Sequence, residues 1–432
     1  MNSIWTETSD KPTFKKLNKD VKTDVLIIGG GIAGILCAYM LKKSGVDCLL
    51  VEAKSICNGV TENTTAKITL QHGLIYNKLI NRFGVNTARL YYKAQKDACD
   101  KYAELCANID CDFEYKDSFV YSLEDEAKIK KEYLALKALG IQTEFHRKIN
   151  LPFEIAAAVS VKNQAQFNPL KFLYEISKEL PVYENTKVLE LLPNKAITNH
   201  GEIDCNKIIV ATHFPMINKH GFYFLKLYQH RSYVIALENA KNVEGMYVDE
   251  SDTGLSFRNY KNLLLLGGGG HRTGKQGGNW KELEAFAEEY YPTAKIVNKW
   301  ATQDCMTLDG VSYIGQYSRN TPNLFVTAGF NKWGMTSSML SAMILSDLVQ
   351  GKENKYAPIF SPSRTVLRPQ LAVNAFESAL GLLTPTAPRC PHLGCALKYN
   401  PAEHSWDCSC HGSRFDENGN LLNNPATDDK KL

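Results

Sequence analysis

No apolar run in this 432-residue chain approaches 18 residues, which excludes a transmembrane helix of ordinary length. A marked excess of charge is also missing. Fifty Lys and Arg against 46 Asp and Glu leave a formal net charge of +4, too little to indicate a nucleic-acid or membrane partner. The opening stretch MNSIWTETSDKPTFKK lacks the apolar segment of a signal peptide, so a cytoplasmic location is expected. Repeats and low-complexity tracts are absent. What remains is the composition of a globular protein, 44% apolar and 22% charged, long enough for two or three domains. Of the 12 cysteines, four crowd the C-terminal end and the others are scattered. The scattered ones are expected to be reduced and buried.

The crowded cysteines form two short loops, Cys390-Pro391-His392-Leu393-Gly394-Cys395 and Cys408-Ser409-Cys410-His411-Gly412-Ser413. Cys-x-His followed by Cys-x-x-His offers two thiolates and two imidazoles, the mixed donor set of a [2Fe–2S] centre with Cys on one iron and His on the other. A structural zinc also accepts Cys₂His₂, but a zinc finger groups its cysteines and its histidines separately, whereas here each loop supplies one of each. Position by position the loops resemble the Rieske family. That resemblance implies Cys390, His392, Cys408 and His411 as ligands, a Cys395–Cys410 disulfide clamping the loops, and a hydrogen bond from Ser413 to a bridging sulfide. It also implies that Pro425-Ala426 is the proline loop covering the cluster. Residues 414–419 read as a hairpin with a Gly-containing turn. The stretch 372–383 reads as a helix where a full Rieske domain has strands. A module of about 45 residues is near the lower limit for burying its own core, so it is expected to dock against the body of the protein, with metal as a staple.

At the other end, the apolar strand Thr23 to Ile28 runs into Gly29-Gly30-Gly31-Ile32-Ala33-Gly34, a helical pattern from Ile35 to Ser44, and a second strand, Asp47 to Val51, ending at Glu52. This is Gly-x-Gly-x-x-Gly in its strand–turn–helix context with an acidic residue about 20 positions on. Gly29 allows the tight turn, Gly31 the approach of a pyrophosphate, and Gly34 the packing of helix on strand. Glu52 would bind ribose hydroxyls. The motif does not separate NAD from FAD; its place at the start of a long chain favours FAD. Further on, Asn323 to Phe330 reads as a strand into a turn, and Trp333-Gly334-Met335-Thr336 opens a helix through Gln350, whose positive end suits the pyrimidine edge of a reduced flavin.

With GGGIAG, Glu52, Thr64–Lys67, Gln71–Gly73, Asn168-Pro169 and TAGFNKWGMTSSM, residues 20–355 resemble the D-amino-acid oxidase/glycine oxidase superfamily. The resemblance implies an α/β plus α+β fold: a Rossmann-like FAD-binding domain with an interleaved antiparallel-sheet substrate domain, and a small all-β Rieske module at the end. The expected ranges are 20–80, 160–220 and 305–352 for the FAD-binding domain, and 81–159 and 221–304 for the substrate domain. A linker with a helix would follow at 353–387, and the cluster module at 388–432. By the same resemblance Val188 contacts the adenine through its backbone, and Gly329, Trp333, Gly334, Met335 and Thr336 line the flavin ring. No catalytic acid/base pair stands out. Candidates are His72, Arg258 and Lys332, each with a bland alternative: a satisfied structural histidine (as for His213, His230 and His271), a surface salt bridge, and a helix-start residue. Tyr228 and Tyr233 read as ordinary sheet aromatics, and Gly267–Gly270 as a turn. The expected cofactors are FAD and a [2Fe–2S] cluster. Expected partners are an amine or amino-acid substrate and an unidentified electron carrier, with no nucleic acid. The expected activity is C–N oxidation with hydride transfer to flavin and one-electron discharge through the cluster. The alternative is an electron-transfer or redox-sensing protein with a vestigial pocket. A Rieske oxygenase would need a mononuclear iron triad, for which the sequence offers no candidate.

Overall fold

The computed structural model describes residues 2–217, 220–251, 254–365, 367–385 and 388–430. Three sheets organise the chain. In the first, Val21–Ile28 lies at the centre with Cys48–Val51 and Gly201–Val210 as parallel neighbours; Leu324–Ala328 extends one side in parallel and Tyr313–Gln316 closes that edge antiparallel. Val25 to Ile28 are all buried, as expected of a parallel strand covered on both faces. The helix Ile32–Lys43 begins immediately after Gly31, three residues earlier than its apolar pattern indicates, and packs against the helix Gly334–Val349.

The second sheet has nine strands. It draws together Lys67–Ile68, Glu114–Ser122, Thr143–His146, Ala157–Gln166, Leu227–Glu238, Met246–Asp249, Ser256–Tyr260, Leu263–Arg272 and Lys295–Thr307. All its pairings are antiparallel except Met246–Asp249 with Glu114–Ser122. The helices Ile75–Cys106, bent at Gly84, and Glu126–Ala138 belong to the same part of the chain. Gly267–Gly270 is not a turn, as its composition suggests, but the middle of the strand Leu263–Arg272. Close approach explains the glycines. A Cβ on Gly267 would lie 2.7 Å from Ser256 Oγ, one on Gly268 2.5 Å from Leu255, and one on Gly269, at φ +60°, 2.4 Å from the Asn279 carbonyl.

The third sheet is a four-stranded antiparallel meander, Leu397–Asn400, Ser405–Cys408, Arg414–Asp416 and Leu421–Asn423. The helix Pro369–Leu383 precedes it. Among the described residues no helix is long and apolar enough to cross a membrane.

Candidate functional site: a flavin cavity closed by an iron–sulfur module

The glycine turn opens onto a cavity of about 800 Å³. Gly29 takes φ +110° and a Cβ there would sit 2.6 Å from the Ala211 carbonyl; one on Gly34 would sit 1.9 Å from the Gly29 carbonyl. These two glycines are required by the protein's own packing. Gly31 is different, since its nearest neighbour is Thr61 Oγ1 at 3.3 Å. The open space beside it, on the cavity wall, is what a pyrophosphate at a helix N-terminus needs, so the residues present fit a bound dinucleotide. Glu52 also lines the cavity, its carboxylate accepting from the backbone N–H groups of Gly30 at 2.7 Å and Lys54 at 2.9 Å. Burial nevertheless raises its pKa. Val188, Trp333, Gly334 and Met335 line the same space. Gly329 and Thr336 stand behind this wall rather than in it. Gly329, at φ +71°, makes room for Thr307, and Thr336 Oγ1 meets His72 Nε2 at 2.9 Å.

His72 is fully engaged. Its Nε2 donates to the Thr69 carbonyl at 2.9 Å, its Nδ1 is 2.8 Å from the Tyr91 hydroxyl, and its ring stacks on Trp333 with centroids 5.0 Å apart. Burial lowers its pKa to about 3, so the ring is neutral where it lines the cavity. Arg258 does not form the expected surface salt bridge. It is buried with 0% exposure, donates to the carbonyls of Thr65 and Ala66 at 2.7 and 2.8 Å, and lies over Trp5. The guanidinium thus secures the segment leading to Lys67, which lines the cavity. Burial, and then Arg258, push the Lys67 ammonium down to about 7.

Lys332 does line the cavity, presented by a turn in which Gly329, Asn331 and Lys332 all have positive φ. Asn331 fixes that turn by accepting from Thr307 N–H at 2.8 Å and donating to the Gly329 carbonyl at 2.7 Å. Facing it electrostatically is Asp304, which the sequence does not single out. Burial pushes its carboxyl up to about 6, against the pull of Lys332 and Arg231. Asp304 alternates with Thr302 and Met306 on the cavity side of the strand Lys295–Thr307, while Tyr228 and Ser232 come from the neighbouring strand Leu227–Glu238. A single acid in a strand carries no signal of which face it lies on, and so it goes unnoticed in sequence.

The cluster loops are two matching turns. Gly394 N–H bonds the Cys390 carbonyl and Gly412 N–H the Cys408 carbonyl, both at 2.9 Å, with Gly394 and Gly412 at φ +80° and +90°. They bring the rings of His392 and His411 to 5.0 Å, nearly perpendicular. Burial lowers these imidazoles to about 4 and about 3, so both are in the neutral, metal-binding form. Neither ring nitrogen of buried His411 has a hydrogen-bond partner among the described residues, which fits a metal ligand rather than a structural histidine. A hydrogen bond from Cys408 draws the Cys390 thiol down despite burial. Cys395 and Cys410 are joined in a disulfide. Among the described residues, the thiols close enough to share one ion are Cys395, Cys408 and Cys410, and the disulfide withdraws two of them. Ser413 Oγ accepts from Ala426 N–H at 2.9 Å, tying the proline loop to the second ligand loop.

The module is docked. Gln229 Nε2 donates to the His411 carbonyl at 3.1 Å and the Asn424 carbonyl at 2.7 Å, and Gln303 Nε2 to the Gly412 carbonyl at 2.8 Å. Arg231 pairs with Glu403, and Phe214 and Phe224 meet His392 and His411 edge-on. Leu421, Asn424, Ala426 and Thr427 of the module complete the cavity wall. Gln229 and Gln303 carry no signal in the sequence either, because glutamine in a strand has no motif.

Comparison with known proteins agrees with this geometry. The family of FAD dependent oxidoreductases matches residues 24–348, and the Rieske [2Fe-2S] domain residues 363–431. The Bacillus subtilis (strain 168) protein YhfW, named as a Rieske 2Fe-2S iron-sulfur protein, is 35% identical over 98% of this chain and 96% of its own length. A cytochrome b6-f complex iron-sulfur subunit of Nostoc punctiforme is 49% identical over 37 residues, 9% of this chain and 21% of that one. Among solved structures, glycine oxidase from Geobacillus kaustophilus superposes with a TM-score of 0.68 at 18% identity, covering 80% of this chain and 99% of that one. L-proline dehydrogenase from P. horikoshii gives 0.67 at 16%, covering 81% and 98%. These two likenesses establish the fold. The chain belongs to the FAD dependent oxidoreductases and carries a C-terminal Rieske [2Fe-2S] domain.

Proposed function

We propose that this protein is a dehydrogenase that oxidises a C–N bond of an amine or amino acid by hydride transfer to FAD, with electrons leaving singly through the [2Fe–2S] cluster. The observation that carries the reading is the shared cavity, bounded by the dinucleotide turn, by Lys332 and Asp304, and by the loop 421–427 of the cluster module. FAD supplies two-electron hydride acceptance and the cluster one-electron exchange. An oxidase delivering electrons to dioxygen needs no such second centre. We assign the chain's own groups as follows. Lys332 attracts the substrate carboxylate, and Asp304 holds the ammonium and takes its proton, freeing the nitrogen lone pair that assists C–H cleavage. Leu421 and Ala426, on the cavity wall, exclude water from their side of the site. Glycine oxidase and L-proline dehydrogenase, the structural neighbours, are both named for amino-acid substrates. The test is anaerobic addition of amino acids and amines to the holoprotein, followed by visible absorbance and EPR. Flavin bleaching with a rhombic reduced-cluster signal is expected. If no amine or amino acid bleaches the flavin, the electron-transfer alternative replaces the enzyme; bleaching without a cluster signal would overturn the exit route.

A further inference from the structure

The helix Pro369–Leu383 is amphipathic in the inverse sense for a soluble protein. Its polar side chains point inward. Asn374, 2% exposed, accepts from Arg272 at 3.0 Å and donates to the Leu225 carbonyl at 3.2 Å, and Glu377 pairs with Lys275 at 2.7 Å. Gly381 lets the helix touch the Cys395–Cys410 disulfide, since a Cβ there would lie 2.4 Å from Cys410 Sγ. Every exposed residue of the helix is apolar. Val373, Phe376, Leu380, Leu382 and Leu383 are 46, 62, 45, 51 and 79% exposed. Leu393, 40% exposed and adjacent to His392, stands in the loop beside Leu382 and carries the patch to the edge of the cluster site. A continuous apolar surface of this kind marks an interaction site.

We propose that this face seats the protein on an anionic lipid bilayer, with the cluster loops at the membrane surface. Two features select lipid over a protein partner. The outer face of the helix offers no hydrogen-bonding or charged side chain, whereas a protein interface of useful size carries several polar contacts; hydrocarbon asks for none. The rim is positive. The segment 361–389 has three arginines and one carboxylate. Arg364 is neutralised inward by Asp309 and Glu377 by Lys275, while Arg368 and Arg389, at the two ends of the helix, are in no ion pair among the described residues. Arg82 joins Arg368 around Phe83 at the first end. An apolar face with a basic rim is the pattern of an interfacial helix. The inference is independent of which substrate the cavity accepts.

The experiment is sedimentation of the holoprotein with vesicles of phosphatidylglycerol and phosphatidylethanolamine, and with pure phosphatidylcholine. Binding to the anionic vesicles is expected, weakened by salt and by neutral lipid. The double variant Phe376→Ser, Leu380→Ser should lower partitioning about tenfold or more while keeping flavin and cluster absorbance, both side chains being exposed. Leu134→Ser, an equally exposed apolar residue on another helix, should leave partitioning unchanged. Failure of the wild type to bind any vesicle, or wild-type binding by the double variant, overturns the proposal. So does a dimer, detected by light scattering, that the double variant dissociates in a protein that ignores vesicles; the face would then join two copies.

Discussion

One added methyl group distinguishes two glycines of the same turn. Gly34→Ala would force a Cβ to 1.9 Å from a backbone carbonyl, overpacking the strand–helix junction by about 1–3 kcal/mol. Thermal unfolding of the apoprotein should therefore fall along with FAD affinity. Gly31→Ala meets only Thr61 Oγ1 at 3.3 Å. It is expected to leave apoprotein unfolding nearly unchanged but to weaken FAD about tenfold or more, because it fills the space held for the pyrophosphate. Equal losses in both assays for Gly31→Ala would refute the distinction. A second residue-scale prediction concerns Asp304. Its carboxyl, raised from 3.8 to about 6, favours the neutral form in the folded protein, so this group lowers stability as pH rises from 3.8 through 6. Capture of an ammonium needs the ionised form. kcat/KM should accordingly drop as pH falls below about 6, and Asp304→Asn should both depress kcat/KM and abolish that limb of the profile.

At the scale of elements, the body and the cluster module are joined by a buried charge network. Glu403, in the turn between the strands Leu397–Asn400 and Ser405–Cys408, meets Arg231 of the strand Leu227–Glu238 and lies 2.9 Å from Arg414. Burial would raise its carboxyl, but the two arginines hold it down to about 2 from 4.5. Stability from this group is full above pH 4.5 and is lost as pH falls toward 2, so the module should loosen in that window. Glu403→Gln takes the carboxylate from buried Arg231, while Arg414 keeps Asp407 at 2.9 Å, a loss of about 3–5 kcal/mol for the one guanidinium left unpaired. It should shift the acid transition upward, as seen by cluster release against pH. These joints illustrate where sequence stops being informative. The strand Val21–Ile28, the turn at Gly29–Gly34 and the ligand loops are legible because each is a local pattern with one physical solution. Gly267–Gly270 is misread because four glycines serve close packing between distant segments, which no local rule anticipates. The helix at 369–383 is legible as a helix, yet its apolar face points outward, since periodicity fixes a face without saying what it meets. Asp304, Gln229 and Gln303 acquire meaning only when antiparallel pairing sets one face of a strand against the cavity and the other against the module.

For the whole molecule, the decisive relation is that one module both holds the cluster site and walls the flavin cavity. A sheet this small depends on its metal for stability. Cys408→Ser removes one of the four donors that the Rieske resemblance implies, at a site with 0% exposure, and should free the loop 421–427 from its fixed position as the cluster is lost. Asn424, Ala426 and Thr427 then no longer close the cavity, so FAD is expected to dissociate faster, measured by the recovery of flavin fluorescence on dilution. His411→Cys provides the contrast. It keeps four ligands and hence the closed wall, but a thiolate in place of an imidazole should lower the cluster potential by on the order of 100 mV with FAD release unchanged. If Cys408→Ser loses its cluster yet retains FAD as the wild type does, then Gln229, Gln303 and the Arg231–Glu403 pair alone are enough to hold the module shut, and its metal serves electron transfer without supporting the flavin.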